Sequence, residues 1–307
     1  MDTTEIAKKR FEKFLKKCRD KKFDPTRLPS VQELRKDGFL KSWKFYLKLL
    51  VIICVFLITY FWKYINQGEC LIEMPGAMSK AFRPPESCEF CRGVTEIKRI
   101  SNITPEQFEE DYAYSGIPVI VTDATQNWTA LDVFDFWYFK DVYMNAKRKR
   151  KSLSCQFFPQ KTGIKNLHEA LSIPRERVNY ETGTEPWYFG WSNCNVEVAE
   201  VLRQHYGRPY FLPDTSENNA VDWIFMGGPG LGLNMHVDNV RLPSWQAQLR
   251  GAKQWILAPP PECYFQCKSF DTVVKKGEII VIDTNKWYHQ TIVAPGEVSI
   301  TIGAEYD

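Results

Sequence analysis

The sequence has little histidine, four residues in 307, and little net charge, +3 with a pI of about 8.3. The near-balance of 40 basic and 37 acidic residues argues against a polyanionic partner such as nucleic acid. The basic run KRKRK at 147–151 has no interleaved aromatics and reads as a solvated loop. There is no internal repeat or low-complexity tract, so the length allows one large domain or one domain with appendages. GGPGLG at 227–232 opens no helix, which removes the context a phosphate loop needs; a connecting turn fits it better. Apolar residues are plentiful, 44% hydrophobic and 14% aromatic, enough for a substantial core.

Charge is missing altogether from Leu49 to Trp62. Residues 45–65, FYLKLLVIICVFLITYFWKYI, match the roughly 20 residues a helix needs to cross a bilayer. Lys48 and Lys63 sit near the ends, and aromatic residues cluster at both edges. A buried core helix would not be apolar all round, and a cleaved signal peptide would need a small-residue site that is not there. Residues 1–44 carry fourteen Lys/Arg against seven Asp/Glu, and 1–22 have amphipathic helical character. The positive-inside rule then predicts a basic cytoplasmic tail (1–44), a single-pass type II span (45–65), a stalk (66–93) and a domain (94–307) in the lumen of the endoplasmic reticulum or Golgi, or outside the cell.

Two features agree with that topology. The sequons at Asn102 (NIT) and Asn127 (NWT) are glycosylation acceptors in such a compartment. Seven cysteines follow the span, and an oxidising compartment would pair some of them. Cys88/Cys91 and Cys263/Cys267 are the local candidates, although spacing does not give connectivity. The odd cysteine makes Cys70 a candidate for a disulfide-linked homodimer, with a free buried thiol as the other reading.

From residue 94 the pattern is that of a folded domain. Thr104 caps a helix with Pro105 at its first position, and 117–124 reads as a buried strand. Residues 131–145 and 196–207 read as helices, the second closed by Gly207. Beyond 220, short apolar or alternating runs separated by turns predict a mainly β sandwich or barrel; LNMHVDN (233–239) is one of these runs.

That run contains His236 and Asp238. On a strand, positions two apart face one side. His289, in KWYHQT, would complete a two-His, one-carboxylate set that leaves three positions of an octahedral Fe(II) open. Lys253, in GAKQW, is a cation predicted on an inward-facing strand, and a buried cation needs an anion; a dicarboxylate chelating the metal would reach it. Thr301 would add a hydroxyl. His168 and His205 have no acidic partner nearby in sequence and are assigned no role.

HVDNVRLPSWQAQLRGAKQWILAPP (236–260) and KKGEIIVIDTNKWYHQT (275–291) resemble the Jumonji-C, or cupin-8-like, Fe(II)/2-oxoglutarate oxygenases. ITPEQFEEDYAYSGIPVIVTDATQNW (103–128) is similar to the segment that opens this domain. The resemblance covers about 94–307. It implies a double-stranded β-helix, a cupin or jelly-roll barrel, with flanking N-terminal helices. It implies His236, Asp238 and His289 as iron ligands, Lys253 and Thr301 on the distal carboxylate of 2-oxoglutarate, and O2 as oxidant. Trp245 and Trp255 match framework aromatics. Gln246 and Gly303 stand where relatives often have Asn, so Gln246 keeps an amide near the co-substrate and Gly303 loses one. The implied reaction is hydroxylation or N-demethylation of a protein or peptide side chain entering near Tyr188, Trp191 and Trp287, three aromatics that could equally be core. The rival reading is a membrane-tethered scaffold with this fold and no turnover, which Gly303 favours and Lys253 opposes.

Overall fold

The computed structural model describes residues 3–22, 29, 43–58, 60, 85–146, 156–160, 162–217 and 221–307. The chain divides into two units, Met1–Phe82 and Arg83–Asp307. In the first, Thr3–Asp20 is a helix with Glu5 in its first turn and Lys17 and Arg19 in its last, the charge order that suits a helix dipole. Residues 43–58 are also helical, and their large apolar side chains, among them Leu50, Ile52 and Phe56, are exposed. Among the described residues no helix is long and apolar enough to cross a membrane. The expected span 45–65 is described only over 45–58 and 60; the rest of it lies outside the described residues, as do 66–84, Cys70, Cys155 and the basic run 147–151.

The second unit is mainly β. Its strands are β1 (Lys98–Ile100), β2 (Val119–Val121), β3 (Phe157–Phe158), β4 (Tyr188–Asn193), β5 (Asp222–Gly227), β6 (Ser244–Arg250), β7 (Lys253–Ala258), β8 (Phe270–Val274), β9 (Ile279–Ile282), β10 (Tyr288–Val293) and β11 (Ser299–Glu305). They form an eight-stranded sheet, β1-β2-β9-β6-β11-β5-β4-β3, and a three-stranded sheet, β10-β7-β8. Every pairing except β1–β2 is antiparallel.

Alternation along the strands decides what each face meets. Val119 and Val121 of β2 join a cluster with the helix residues Phe108 and Phe139 and with Phe134 between two helices. Ile120, between them, packs with Ile280, Trp255 and Leu257 between the two sheets. The first α-helix of this unit starts at Thr104 as expected, whereas the expected helix 131–145 is two, Ala130–Val133 and Phe136–Asn145. Thr104 and Gln107 form a reciprocal capping box, and Asp135 and Asn195 cap Phe136–Asn145 and Val196–Leu202 through their side-chain oxygens. The last of these ends at Leu202 rather than at Gly207.

Two expectations are corrected. LNMHVDN is not a strand. The segment runs beside β10 as an irregular edge: Val293 N donates to Leu231 O (2.7 Å), Thr291 N to Leu233 O (3.0 Å), and His236 and His289 exchange both backbone bonds (3.1 and 2.8 Å). Four residues, 233–236, oppose three, 289–291, so the segment bulges and no ladder forms. Gly232 permits the approach, since a Cβ there would lie 1.9 Å from the Thr291 carbonyl oxygen. The second correction concerns the cysteines. They pair across the chain rather than locally, Cys88 with Cys263 and Cys91 with Cys267, tying the segment before β1 to the loop after β7. Cys194 is disulfide-bonded too.

Candidate metal and carboxylate site

β10 presents His289, Thr291 and Val293 to the interior, and β7 presents Lys253, Trp255 and Leu257. Their register sets His289 opposite Leu257 and Val293 opposite Lys253, so the histidine and the lysine occupy opposite ends of the paired strands. The double backbone bond between His236 and His289 brings the bulged segment alongside. The two imidazoles lie 4.2 Å apart between ring centroids. His236 Nε2 is 3.3 Å from Asp238 Oδ1 and His289 Nε2 is 3.8 Å from Asp238 Oδ2. The three donor atoms all lie within 4.8 Å of one another, close enough to share one ion.

The tautomers follow from the backbone. His236 Nδ1 lies 2.6 Å from Asn234 O and His289 Nδ1 3.1 Å from Trp287 O. A carbonyl only accepts, so each Nδ1 carries the proton and each Nε2 offers a lone pair to the centre. Burial pulls the His289 imidazole down to about 4, with the Asp238 charge opposing it in part, so this ring stays neutral at physiological pH. For His236 burial is outweighed by the Asp238 hydrogen bond and charge, and its pKa rises. Asp238 is raised by burial but pulled below its ordinary range overall by the two histidines. Two imidazoles and a carboxylate, held by backbone partners, fit Fe(II) with open positions. Trp255 stacks near His289 at 6.0 Å and 24°.

The same cavity, about 490 Å³, is lined by His236, Asp238 and His289 at one end and reaches Lys253. Lys253 is 1% exposed. Its Nζ donates to Tyr188 Oη at 3.2 Å and to Thr301 Oγ1. Among the described residues no carboxylate pairs with it, and burial lowers its pKa to about 7. Its Nζ also lies 5.4 and 5.5 Å from the ring centroids of Tyr188 and Phe225, and an ammonium buried among hydroxyls and rings without an anion is costly until one arrives. Gln246 lines the cavity and lies opposite Gly303 in the β6–β11 register. A Cβ on Gly303 would stand 2.3 Å from Trp245 O and 2.9 Å from Gln246 Cγ, so Gln246 fills the space that a side chain at 303 would take.

Of the three aromatics expected at the entrance, Tyr188 lines the cavity, but as a partner of Lys253. Trp191 and Trp287 do not line it. Trp191 is buried in the core and donates from Nε1 to Tyr143 Oη (2.8 Å); Trp287 packs between Phe90 and Phe270 and donates to Gly116 O (2.8 Å). Large aromatics in a mainly β chain are more often core than mouth, and here the indole N–H groups found partners inside. The cavity is also lined by Phe158, Trp223, Asn239 and Glu305, none of which carried a sequence signal. Asn102 and Asn127 are exposed.

Comparison with known proteins gives a family match, cupin-like domain (Cupin_8), over residues 105–290. Curated relatives include a bifunctional arginine demethylase and lysyl-hydroxylase, psr-1, of Caenorhabditis elegans, 26% identical over 167 residues that cover 52% of this chain and 40% of the relative. The arginine-specific demethylase JMJ20 of Arabidopsis thaliana is 25% identical over 263 residues, covering 67% of this chain and 56% of the relative. The 2-oxoglutarate and iron-dependent oxygenase JMJD4 of Danio rerio is 24% identical over 165 residues, covering 45% and 34%. The matches thus span about half or less of those relatives' lengths. Among solved structures, YcfD, a ribosomal oxygenase from Escherichia coli, aligns with a TM-score of 0.46 and 14% identity over 67% of this chain and 51% of that one.

Proposed function

This chain belongs to the cupin-like domain family, and on that premise we propose that it is an Fe(II)- and 2-oxoglutarate-dependent oxygenase acting on a protein side chain. The observation that carries this reading is Lys253, a buried ammonium with no carboxylate partner among the described residues, in the cavity that also holds His236, Asp238 and His289. A scaffold has no use for such a cation, and a metal-only cupin leaves it unexplained.

His236, Asp238 and His289 would hold the ion, with the Nε2 lone pairs already turned inward. Lys253 and Thr301 would bind the far carboxylate of 2-oxoglutarate, and Tyr188 would orient the ammonium. When bound, iron, 2-oxoglutarate and O2 supply the oxidising chemistry. The protein binds and orients these groups and excludes water from them. Gln246, with the room that Gly303 leaves it, supplies the amide beside the co-substrate.

The relatives named as arginine demethylases and as a lysyl-hydroxylase support a cationic protein side chain as substrate, either hydroxylated or N-demethylated. Hydroxylation suits a luminal protein better than histone demethylation does. The luminal assignment is part of the proposal. It rests on the uncharged run 49–62, the exposed apolar helix 43–58, the exposed sequons at Asn102 and Asn127, and the crossed disulfides. On this reading residues 45–65 anchor the chain in type II orientation, and a Cys70-linked homodimer goes with it. Glycosidase treatment of the expressed protein should increase its mobility; no shift, with the domain open to protease from the cytosolic side, would reverse the orientation.

The activity is tested by succinate release from 2-oxoglutarate in the presence of Fe(II) and arginine- or lysine-containing peptides. Wild type should exceed His236→Ala by orders of magnitude. Equal release from the two proteins would favour the scaffold.

A further inference from the structure

The candidate metal ligands are held in unequal ways. His289 sits in a strand and His236 is bonded to it through both backbone groups. Asp238 lies in a stretch, 237–243, that belongs to no strand, and its own backbone anchor is a single bond, N to Thr284 O at 2.9 Å. Beyond it, Arg241 has φ +72°, a left-handed conformation that is strained for a non-glycine residue and needs an external hold.

That hold is one side chain. Asn285, in the turn between β9 and β10, accepts at Oδ1 from Val240 N (2.8 Å) and Arg241 N (3.0 Å) and donates from Nδ2 to Leu242 O (3.1 Å). Asn285 is itself fixed by Asp283, whose Oδ1 accepts from Asn285 Nδ2 (3.0 Å) and from its backbone N (3.1 Å). Asp283 in turn pairs with Lys286 at 3.3 Å. The next residues of the same turn run into β10 and His289. The turn therefore grips the loop at Asp238, through Thr284 O, and just after it, through Asn285.

We propose that Asn285, seated by Asp283, is a positioning residue that sets Asp238 as a metal ligand. The proposal rests on the metal reading above. Asn285 needs both amide ends in this role, since the loop offers two N–H groups and a carbonyl. Ala removes all three bonds, and Ser is too short to span them.

The test is Co(II) binding by the purified protein, followed by titration and by the visible ligand-field spectrum, for wild type, Asn285→Ala, Asp238→Ala and the double variant. Asn285→Ala is expected to weaken Co(II) binding by about tenfold or more, in the range seen when a ligand's supporting partner is removed. Its Co(II) spectrum should shift toward that of Asp238→Ala. Because Asn285 acts through Asp238, the double variant should bind no more weakly than Asp238→Ala alone. Should Asn285→Ala fail to fold, Asn285→Ser serves the same cycle. Unchanged affinity and spectrum, or losses that add in the double variant, would overturn the role of Asn285 while leaving the metal site standing. A wild type that binds no Co(II) would overturn the metal reading and this inference with it.

Discussion

Strand β7 begins in one kind of environment and ends in another. Lys253 is buried, and its partners come from strands: Tyr188 from β4, Phe225 from β5 and Thr301 from β11. At Leu257 and Ala258 the strand lies beside His289 and Tyr288, next to the bulged segment that carries His236 and Asp238, both about one-third exposed. The deep end is positioned by sheet register, which cannot shift without turning buried residues outward. The mouth is positioned by individual hydrogen bonds and by the crosslinked loop after β7. The deep end should therefore be stiff and unforgiving of substitution, and the mouth adjustable and dependent on its clamps.

The largest effect should come from cutting the crosslinks beyond the mouth end. Cys88–Cys263 and Cys91–Cys267 close loops of 175 and 176 residues in sequence separation. Loop-closure entropy assigns about 5 kcal/mol to the first of such a pair and less to the second, which closes nearly the same loop. Cys263→Ser with Cys267→Ser should lower the melting temperature by roughly 10 °C or more, and adding reductant should do the same to wild type. A melt insensitive to reductant would mean that the mouth does not depend on its staple.

Next comes the deep end. Lys253→Met should weaken 2-oxoglutarate binding by about 3 kcal/mol or more, because the incoming carboxylate loses its buried partner. The same variant should melt higher than wild type without ligand, since the unpaired ammonium is gone. Calorimetry and thermal melts read these opposite signs; a variant that loses both ligand and stability would show that the ammonium already has its charge balanced in the fold.

Gly303→Ala tests the stiffness between the two ends. Its Cβ would stand 2.3 Å from a backbone oxygen of the neighbouring strand, and overpacking of that kind costs about 1–3 kcal/mol. Urea unfolding measures it, and a neutral result would show that β6 and β11 can part.

A pH series sharpens the contrast further. The folded pKa of Lys253, about 7, lies below its ordinary value, so the destabilisation is full below pH 7 and fades as pH rises toward the unfolded value. Ligand-free stability should therefore rise from pH 7 to 9 relative to Lys253→Met. Affinity for 2-oxoglutarate should fall over the same window, by up to about tenfold per pH unit, as the ligand must bring a proton with it. The smallest effect is expected at Trp191→Phe, which removes one buried hydrogen bond to Tyr143. It should cost about 1 kcal/mol of stability and leave 2-oxoglutarate binding unchanged.

Much of this contrast is legible in the sequence, and unevenly so. Strands such as KQWILA and YHQTIV carry a period of two that sends Lys253 and His289 inward, so the deep end and one histidine can be placed from pattern alone. The pairing of His236 with Asp238 is visible as spacing. The reason they converge is not, because the segment is a bulge held by β10 and by Asn285, and bulges have no periodicity to read. Cross-chain disulfides leave no local signal either, and CEFC looks the same whether its two thiols meet each other or two others 175 residues away. The inward turn of Trp191 and Trp287 has no sequence signal, because neither an indole in a strand (191) nor one in the turn before β10 (287) shows which way it faces.

The crossed bonds also impose an order in time. Cys88 and Cys91 emerge from the ribosome long before Cys263 and Cys267, and at about 5–20 residues per second the wait is roughly ten to thirty seconds. Throughout that interval their eventual partners are absent, and each is the other's nearest thiol in sequence. A short-lived bond within CEFC, undone by exchange when the later pair arrives, would make completion of this domain depend on a thiol-exchange catalyst and on a two-electron oxidant for the second bond, as much as on its own sequence.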